Sequence, residues 1–116
     1  MSTESAVPRV LSPDVRSHPL ESDELDPSDV VAGAPATASA GLAELGGIEV
    51  GIWEITEGTV RDTEADEIFV VLSGSGTVTF EDGAVLELGP GIAVRLRAGE
   101  RTVWEIRDRL RKIYVV

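Results

Sequence analysis

The sequence predicts an all-β protein: an antiparallel sandwich or barrel preceded by an extended, partly disordered amino-terminal arm. Three observations carry that prediction. From Ile48 onward, short runs of β-branched residues alternate with turn chemistry. No stretch between those runs holds a helical period. Composition also shifts along the chain, from Ser, Pro, Asp and Glu to small residues and then to strand formers. The division expected is an arm and strap over residues 1–45 and a β domain over residues 46–116.

Taken in order, residues 1–29 have no hydrophobic period and too little apolar surface to offset their ordering entropy, which makes them an arm. "VVAGAPATASAGLA", residues 30–43, is uncharged and small, but too short and weakly apolar to span a bilayer. Gly33, Pro35 and Gly41 interrupt any helix there, so an extended strap over a neighbouring surface is expected. Seven strands follow: "IEVGIWEI" at 48–55, "EIFVVL" at 67–72, "TVTF" at 77–80, "AVLEL" at 84–88, "IAVRL" at 92–96, "TVWEI" at 102–106 and "RKIYVV" at 111–116. Between them "SGSG", "EDG", "GPG" and "RAGE" supply glycine for positive φ and proline for fixed φ. The Asp82-Gly83 pair is the chemistry of a tight hairpin.

Alternation assigns the faces. Ile92, Val94 and Leu96 point together with Arg95 opposite; Thr102, Trp104 and Ile106 share a face, leaving Val103 and Glu105 on the other. "EIFVVL" is apolar on both faces after Glu67, so it needs a second cover besides the interior. The strap or another copy of the chain would supply it, and a homodimer is the expectation.

A chain of 116 residues is enough for one domain and one core. The absence of cysteine excludes disulfides, zinc-thiolate sites and thiol catalysis. The start of the chain has no basic segment followed by an apolar run, so no secretory signal is read and a cytoplasmic location is expected. Net charge is −11, and in residues 1–60 eleven Asp and Glu stand against Arg9 and Arg16. Such an acidic chain repels phosphate backbones, which argues against nucleic acid or an anionic membrane as partner. Seven of the ten bases gather between Arg95 and Lys112, either as a solvated strand edge or as a receiver for a small polar or anionic ligand.

The stretch Trp53–Val116 resembles a small cupin domain, of the group found in ureidoglycine aminohydrolases and ethanolamine-utilisation cupins. "DEIFVVLSGSGTVTFEDG" is similar to the first motif of that family, with Glu67 followed after six residues by Gly74. "LGPGIAVRLRAGERTVWEI" is similar to the second, with Gly-Pro-Gly at 89–91 and the later Gly99; "RKIYVV" after a "WEI" strand is a characteristic ending. The resemblance implies a jelly-roll barrel. It also implies a divalent metal held by three histidines and a glutamate, but here the histidine positions carry Arg61, Thr63 and Thr102, and Arg97 stands where proline is usual. Only Glu67 of the four ligands remains, and the sole histidine, His18, lies in the arm. Neither metal nor other cofactor is therefore expected.

Asp62, Glu64 and Asp66 could offer oxygens to a hard cation, which needs several of them converging on one point. Alternation instead sends Glu64 and Asp66 away from Glu67, so the cluster reads as a solvated strand entrance with Glu67 alone entering the barrel. A lone carboxylate in an apolar barrel needs a partner. Lys112 and Tyr114 share a face of the last strand, Thr102 and Trp104 a face of the preceding one. If both faces are interior, Glu67, Thr102, Trp104, Lys112 and Tyr114 form a polar ligand-binding site standing where a metal usually sits. The alternative, with Lys112 reaching out to solvent and Glu67 bonded to backbone, stays open. The expected function is a metal-independent small-ligand binding module. The alternatives are an aminohydrolase- or isomerase-like enzyme on a small polar metabolite, with Glu67 or Tyr114 as acid or base, and a structural dimerisation domain.

Overall fold

In a computed structural model, residues 8–116 fold into a curled antiparallel sheet of nine strands. The strands are β1 (Glu21–Asp23), β2 (Val30–Gly33), β3 (Thr37–Leu45), β4 (Ile48–Ile55), β5 (Gly58–Thr63), β6 (Glu67–Phe80), β7 (Val85–Leu88), β8 (Ala93–Leu96) and β9 (Arg101–Val115). One wall runs β1-β3-β4-β9-β5-β2; β6 lies along the other edge of β9 and carries β7 and β8. This is the all-β antiparallel barrel expected from the alternating runs. The arm expected to be partly disordered is described from residue 8 onward, and residues 1–7 lie outside the described residues. Among the described residues no helix is long and apolar enough to cross a membrane.

Strand β9 joins the two halves of the wall. Its first half pairs with β5 (Val60 opposite Trp104) and its second with β4 (Trp53 opposite Lys112), while β6 follows it throughout. The sequence reads "TVWEI" and "RKIYVV" as two strands, and "EIFVVL" and "TVTF" likewise; each pair is one long strand bent at its middle. The bend is made by register shifts between Val71 and Gly76, facing the exposed residues Arg107, Asp108 and Arg109. "SGSG" is thus a bulged corner inside β6, and Ser75 Oγ donates to Asp108 Oδ2 across it at 3.0 Å.

Gly74 belongs to that corner for two reasons. Its φ is +89°, and a Cβ on it would strike the backbone of Arg109 and Leu110. Gly74→Ala therefore meets both a strained φ and a backbone that cannot yield, and is expected to lose more than about 2 kcal/mol in denaturant unfolding. A loss below 0.5 kcal/mol, on the order of a neutral surface change, would contradict this account of the corner.

The Asp82-Gly83 turn closes the β6–β7 hairpin as expected, with the Gly83 N–H bonded to Phe80 O and the Ala84 N–H to Asp82 Oδ1, both at 2.9 Å. Gly-Pro-Gly lets the chain step from β7, paired with one end of β6, to β8, paired with the other. The stretch read as a strap is built into the sheet instead: β2 pairs with β5, and β3 pairs with β4 along its whole length. Its small residues carry no alternation that would announce a strand, and pairing with β5 and β4 is what makes it one.

The core lies inside the curl. It is formed by Ile55, Val60, Phe69, Val71, Val78, Leu88, Val94, Leu96, Trp104, Ile106 and Leu110; among them Val94 with Leu96, and Trp104 with Ile106, are face-mates that alternation grouped together. Ile52 is fully buried as well, yet it points away from that cluster, on the outer face of β4. The arm covers that face: Arg111 Nη1 donates to the carbonyl oxygens of Val15 and His18 at 2.9 and 3.0 Å, and Arg111 Nε to Glu54 Oε1 at 2.9 Å. Farther along the same face Ile68 and Val70 of β6 remain 48% and 37% exposed, so the arm is not their cover.

Candidate functional site

One end of the barrel opens into a cavity of about 360 Å³, walled by β4, β5, β6 and β9 and rimmed by arm residues from Asp23 to Asp29. Of the five residues expected at the site, Glu67, Trp104, Lys112 and Tyr114 line it, while Thr102 is buried and does not. Glu67, the first residue of β6, and Lys112 of β9 both turn inward, and Lys112 Nζ donates to Glu67 Oε2 at 2.5 Å. Of the two arrangements left open by the sequence, the internal ion pair is the one formed. Lys112 does not reach out to solvent: it is 6% exposed, and its ammonium lies 4.4, 4.9 and 5.1 Å from the ring centres of Phe69, Trp53 and Trp104. Three aromatic faces around one cation give it an electrostatic setting that offsets its lost hydration.

Thr102 and Trp104 are buried side by side on β9. Their donors converge on one acceptor, Glu64: Thr102 Oγ1 donates to Glu64 Oε2 at 2.6 Å and the Trp104 indole N–H to the same oxygen at 3.0 Å. Tyr114 completes the wall beside Gly51, where a side-chain carbon would collide with the tyrosine hydroxyl. Burial, then the charge of Glu49, raises the Tyr114 hydroxyl above its ordinary range.

Glu64 is the residue that sequence reasoning misplaced. Alternation counted back from Glu67 sent it outward, but β5 ends at Thr63 and β6 begins at Glu67, so the alternation does not cross the gap. Backbone bonds set its direction: the Glu64 N–H donates to Glu100 O and the Gly99 N–H to Glu64 O, both at 2.8 Å. The "RAGE" turn thereby aims the carboxylate inward, leaving it 7% exposed. The available signal was chemical: an indole N–H assigned to the interior requires a buried acceptor. Asp66 does face outward, bonded to Arg95 Nη2 at 3.2 Å and the Ala98 N–H at 3.1 Å. The cluster is thus split, with Asp62 and Glu64 at the cavity and Asp66 on the rim outside.

Asp62 keeps exposed surface at the mouth, yet its carboxyl is packed against the cavity wall. Burial, reinforced by the neighbouring charge of Glu64, pushes its pKa up to about 6, against weaker pulls from the Thr63 N–H and Lys112. A carboxyl that titrates near 3.8 when unfolded and near 6 when folded binds its proton more tightly in the fold. Its contribution to stability is complete below pH 3.8 and is lost as pH rises through about 6. Asp62→Asn removes that dependence. In thermal unfolding, the variant should match the parent at low pH and become progressively the more stable of the two between pH 3.8 and about 6; a constant difference across that window would contradict the assignment.

The late basic cluster is largely neutralised within the fold, because Arg95, Arg107, Arg111 and Lys112 pair with Asp66, Glu87, Glu54 and Glu67. The positions that carry metal ligands in the cupins this chain resembles are occupied or engaged otherwise here. Arg61 and Thr63 are exposed, the Thr102 hydroxyl bonds Glu64, and Glu67 holds an ammonium. Among the described residues no group of three or more His, Asp and Glu side chains is arranged to hold an ion. These donors do not fit a transition metal.

A family described as the EutQ-like cupin domain matches residues 42–114. The chain belongs to the EutQ-like cupin family. Solved structures agree on the fold of this cupin. A protein of unknown function from Pseudomonas syringae pv. tomato superposes with a TM-score of 0.76 at 23% identity, over 86% of this chain and 45% of that one. The chain thus spans less than half the length of that relative. The Clostridium difficile EutQ protein gives 0.62 at 22% identity, covering 80% of this chain and 79% of its own. An ethanolamine utilization protein from Salmonella typhimurium gives 0.60 at 20%, covering 69% and 68%. At these identities the likeness is one of fold. No curated protein matches the chain.

Proposed function

We propose that this EutQ-like cupin is a metal-independent binding module for a small polar metabolite. The observation that carries the reading is the Lys112–Glu67 pair: an ammonium, caged by three aromatic rings, stands beside the one carboxylate that a metal-binding cupin would use as ligand. Around it, apolar walls and a few converging polar groups make a cavity of the form that takes small ligands. Metal analysis of protein purified without chelator tests the reading. Less than one-tenth of an equivalent, on the order of trace contamination, is expected for any transition metal; one tightly held ion per chain would overturn it.

An acid–base enzyme, of the kind the aminohydrolase and isomerase cupins exemplify, is the second reading. Its support is Asp62, a cavity carboxyl brought by burial to about 6, in the range useful for proton transfer near neutrality. The proposal also includes self-association, since Ile68 and Val70 leave an apolar strip of β6 uncovered by the chain's own arm. Light scattering at micromolar concentration should give a dimer mass, and a sharp monomer mass counts against it.

A further inference from the structure

One side of the cavity mouth is a piece of the arm that is fastened firmly only at its two ends. Upstream, Arg111 clasps the carbonyl oxygens of Val15 and His18. Downstream, the Pro27–Asp29 turn is capped by Asp26, whose Oδ1 accepts from the Ser28 N–H at 2.9 Å, and leads into β2, which pairs with β5. Between these points β1 is a strand of three residues, paired on one side only, with β3. From Glu21 to Ser28 every residue is exposed except Leu25. That side chain turns in and packs against the core, and Asp23, Glu24 and Asp29 line the cavity beside it.

A strand this short, with its hydrogen bonds close to water, opens at low free-energy cost, and one partly buried leucine supplies the apolar contact that resists opening. Charge works the other way. Asp23, Glu24 and Asp29 share the cavity with Glu49, Asp62, Glu64 and Glu67, and among the described residues none of the three arm carboxyl groups is paired with a base. Repulsion between the arm and the barrel therefore favours separation, and salt screens it. We infer that residues 19–26 form a lid on the cavity: β1 peels from β3, Leu25 is the latch, and the Arg111 clasp and the Pro27–Asp29 turn stay in place as its hinges. Closed, the segment narrows the mouth; open, it admits solutes larger than water to Trp53 and Trp104. The device belongs to the fold and does not depend on which ligand the cavity takes.

The two tryptophans of the chain both line this cavity, so quenching of their fluorescence by acrylamide, a neutral solute, reads how open the mouth is. In the full chain, Leu25→Ser should raise the quenching constant by about twofold or more as the latch is lost. Lowering salt from about 1 M to about 10 mM should raise quenching of the parent, because repulsion across the mouth is then unscreened. A crosslink supplies the opposite perturbation. Ser22 and Ala38 stand opposite each other on β1 and β3, where Cα atoms about 4.5–5.5 Å apart suit a disulfide, and the chain has no cysteine of its own to compete. With Ser22→Cys and Ala38→Cys together, the oxidised form should lose the salt dependence and the reduced form regain it. These two states of one molecule decide the matter if the Leu25 variant fails to fold. Unchanged quenching in a folded Leu25→Ser variant, or equal salt dependence in the oxidised and reduced forms, overturns the inference. No ligand enters the experiment, so the lid and the binding-module reading stand or fall separately.

Discussion

Lys112→Met is expected to destabilise the domain by about 3–5 kcal/mol, the cost of stranding one partner of a buried ion pair. The substituted side chain keeps nearly the length and the apolar stem of lysine, so packing against Phe69, Trp53 and Trp104 is largely retained. What disappears is the ammonium, which is 2.5 Å from Glu67 Oε2 with the two side chains only 7% and 14% exposed. Glu67 is then left with a charge that neither water nor protein compensates. Removing both charges should cost less: Lys112→Met combined with Glu67→Gln is expected to recover at least half of the loss, because no uncompensated ion remains. Urea unfolding of the parent, the two single variants and the double variant gives the coupling directly. A loss below about 1 kcal/mol for Lys112→Met, the value of an exposed ion pair, would show that the pair is solvated.

Arg111→Met is expected to cost about 3 kcal/mol and to release the arm. The guanidinium bonds Glu54 with Nε and two arm carbonyls with Nη1, at 10% side-chain exposure. The planar fork serves both the carboxylate and the carbonyls, which a lysine ammonium cannot reproduce, so Arg111→Lys should restore little. Freed from Val15 and His18, the chain around Arg16 becomes a substrate for trypsin. Limited proteolysis followed by mass spectrometry should show cleavage after Arg16 many times faster than in the parent. Equal rates would mean that the arm is held by something other than Arg111.

These two residues sit next to each other on β9 and face opposite sides of the sheet, which strand alternation makes unavoidable. One holds the interior site and the other fastens the cover outside. The sequence marks both as bases in "RKIYVV" without saying which faces in. Lys112 was legible as a candidate because it shares its face with Tyr114, and Glu67 because six residues separate it from Gly74 in a cupin-like motif. That they meet follows from β6 and β9 pairing with Val71 opposite Lys112, a contact between residues far apart in the chain.

Glu64 marks the limit of that legibility. It lies in a connection of three residues between β5 and β6, where no periodicity applies and orientation is inherited from a partner loop at Gly99 and Glu100. The strands at 30–33 and 37–45 were missed for a related reason: Gly, Ala and Ser carry almost no face information, and pairing with β5 and β4 is what makes them strands.

By itself, then, the order of residues determined the all-β class, which residues share a face in the later strands, the tight hairpin at Asp82-Gly83 and the loss of the imidazoles from their cupin positions. Those properties are local, written in alternation, turn chemistry and residue identity. Tertiary structure alone decided that Lys112 turns in under three rings, that Arg111 fastens the arm, and that Glu64 joins Asp62 at an acidic cavity. Each of these depends on which distant backbone atoms come within hydrogen-bonding reach, and long-range pairing has no periodic trace in a single chain.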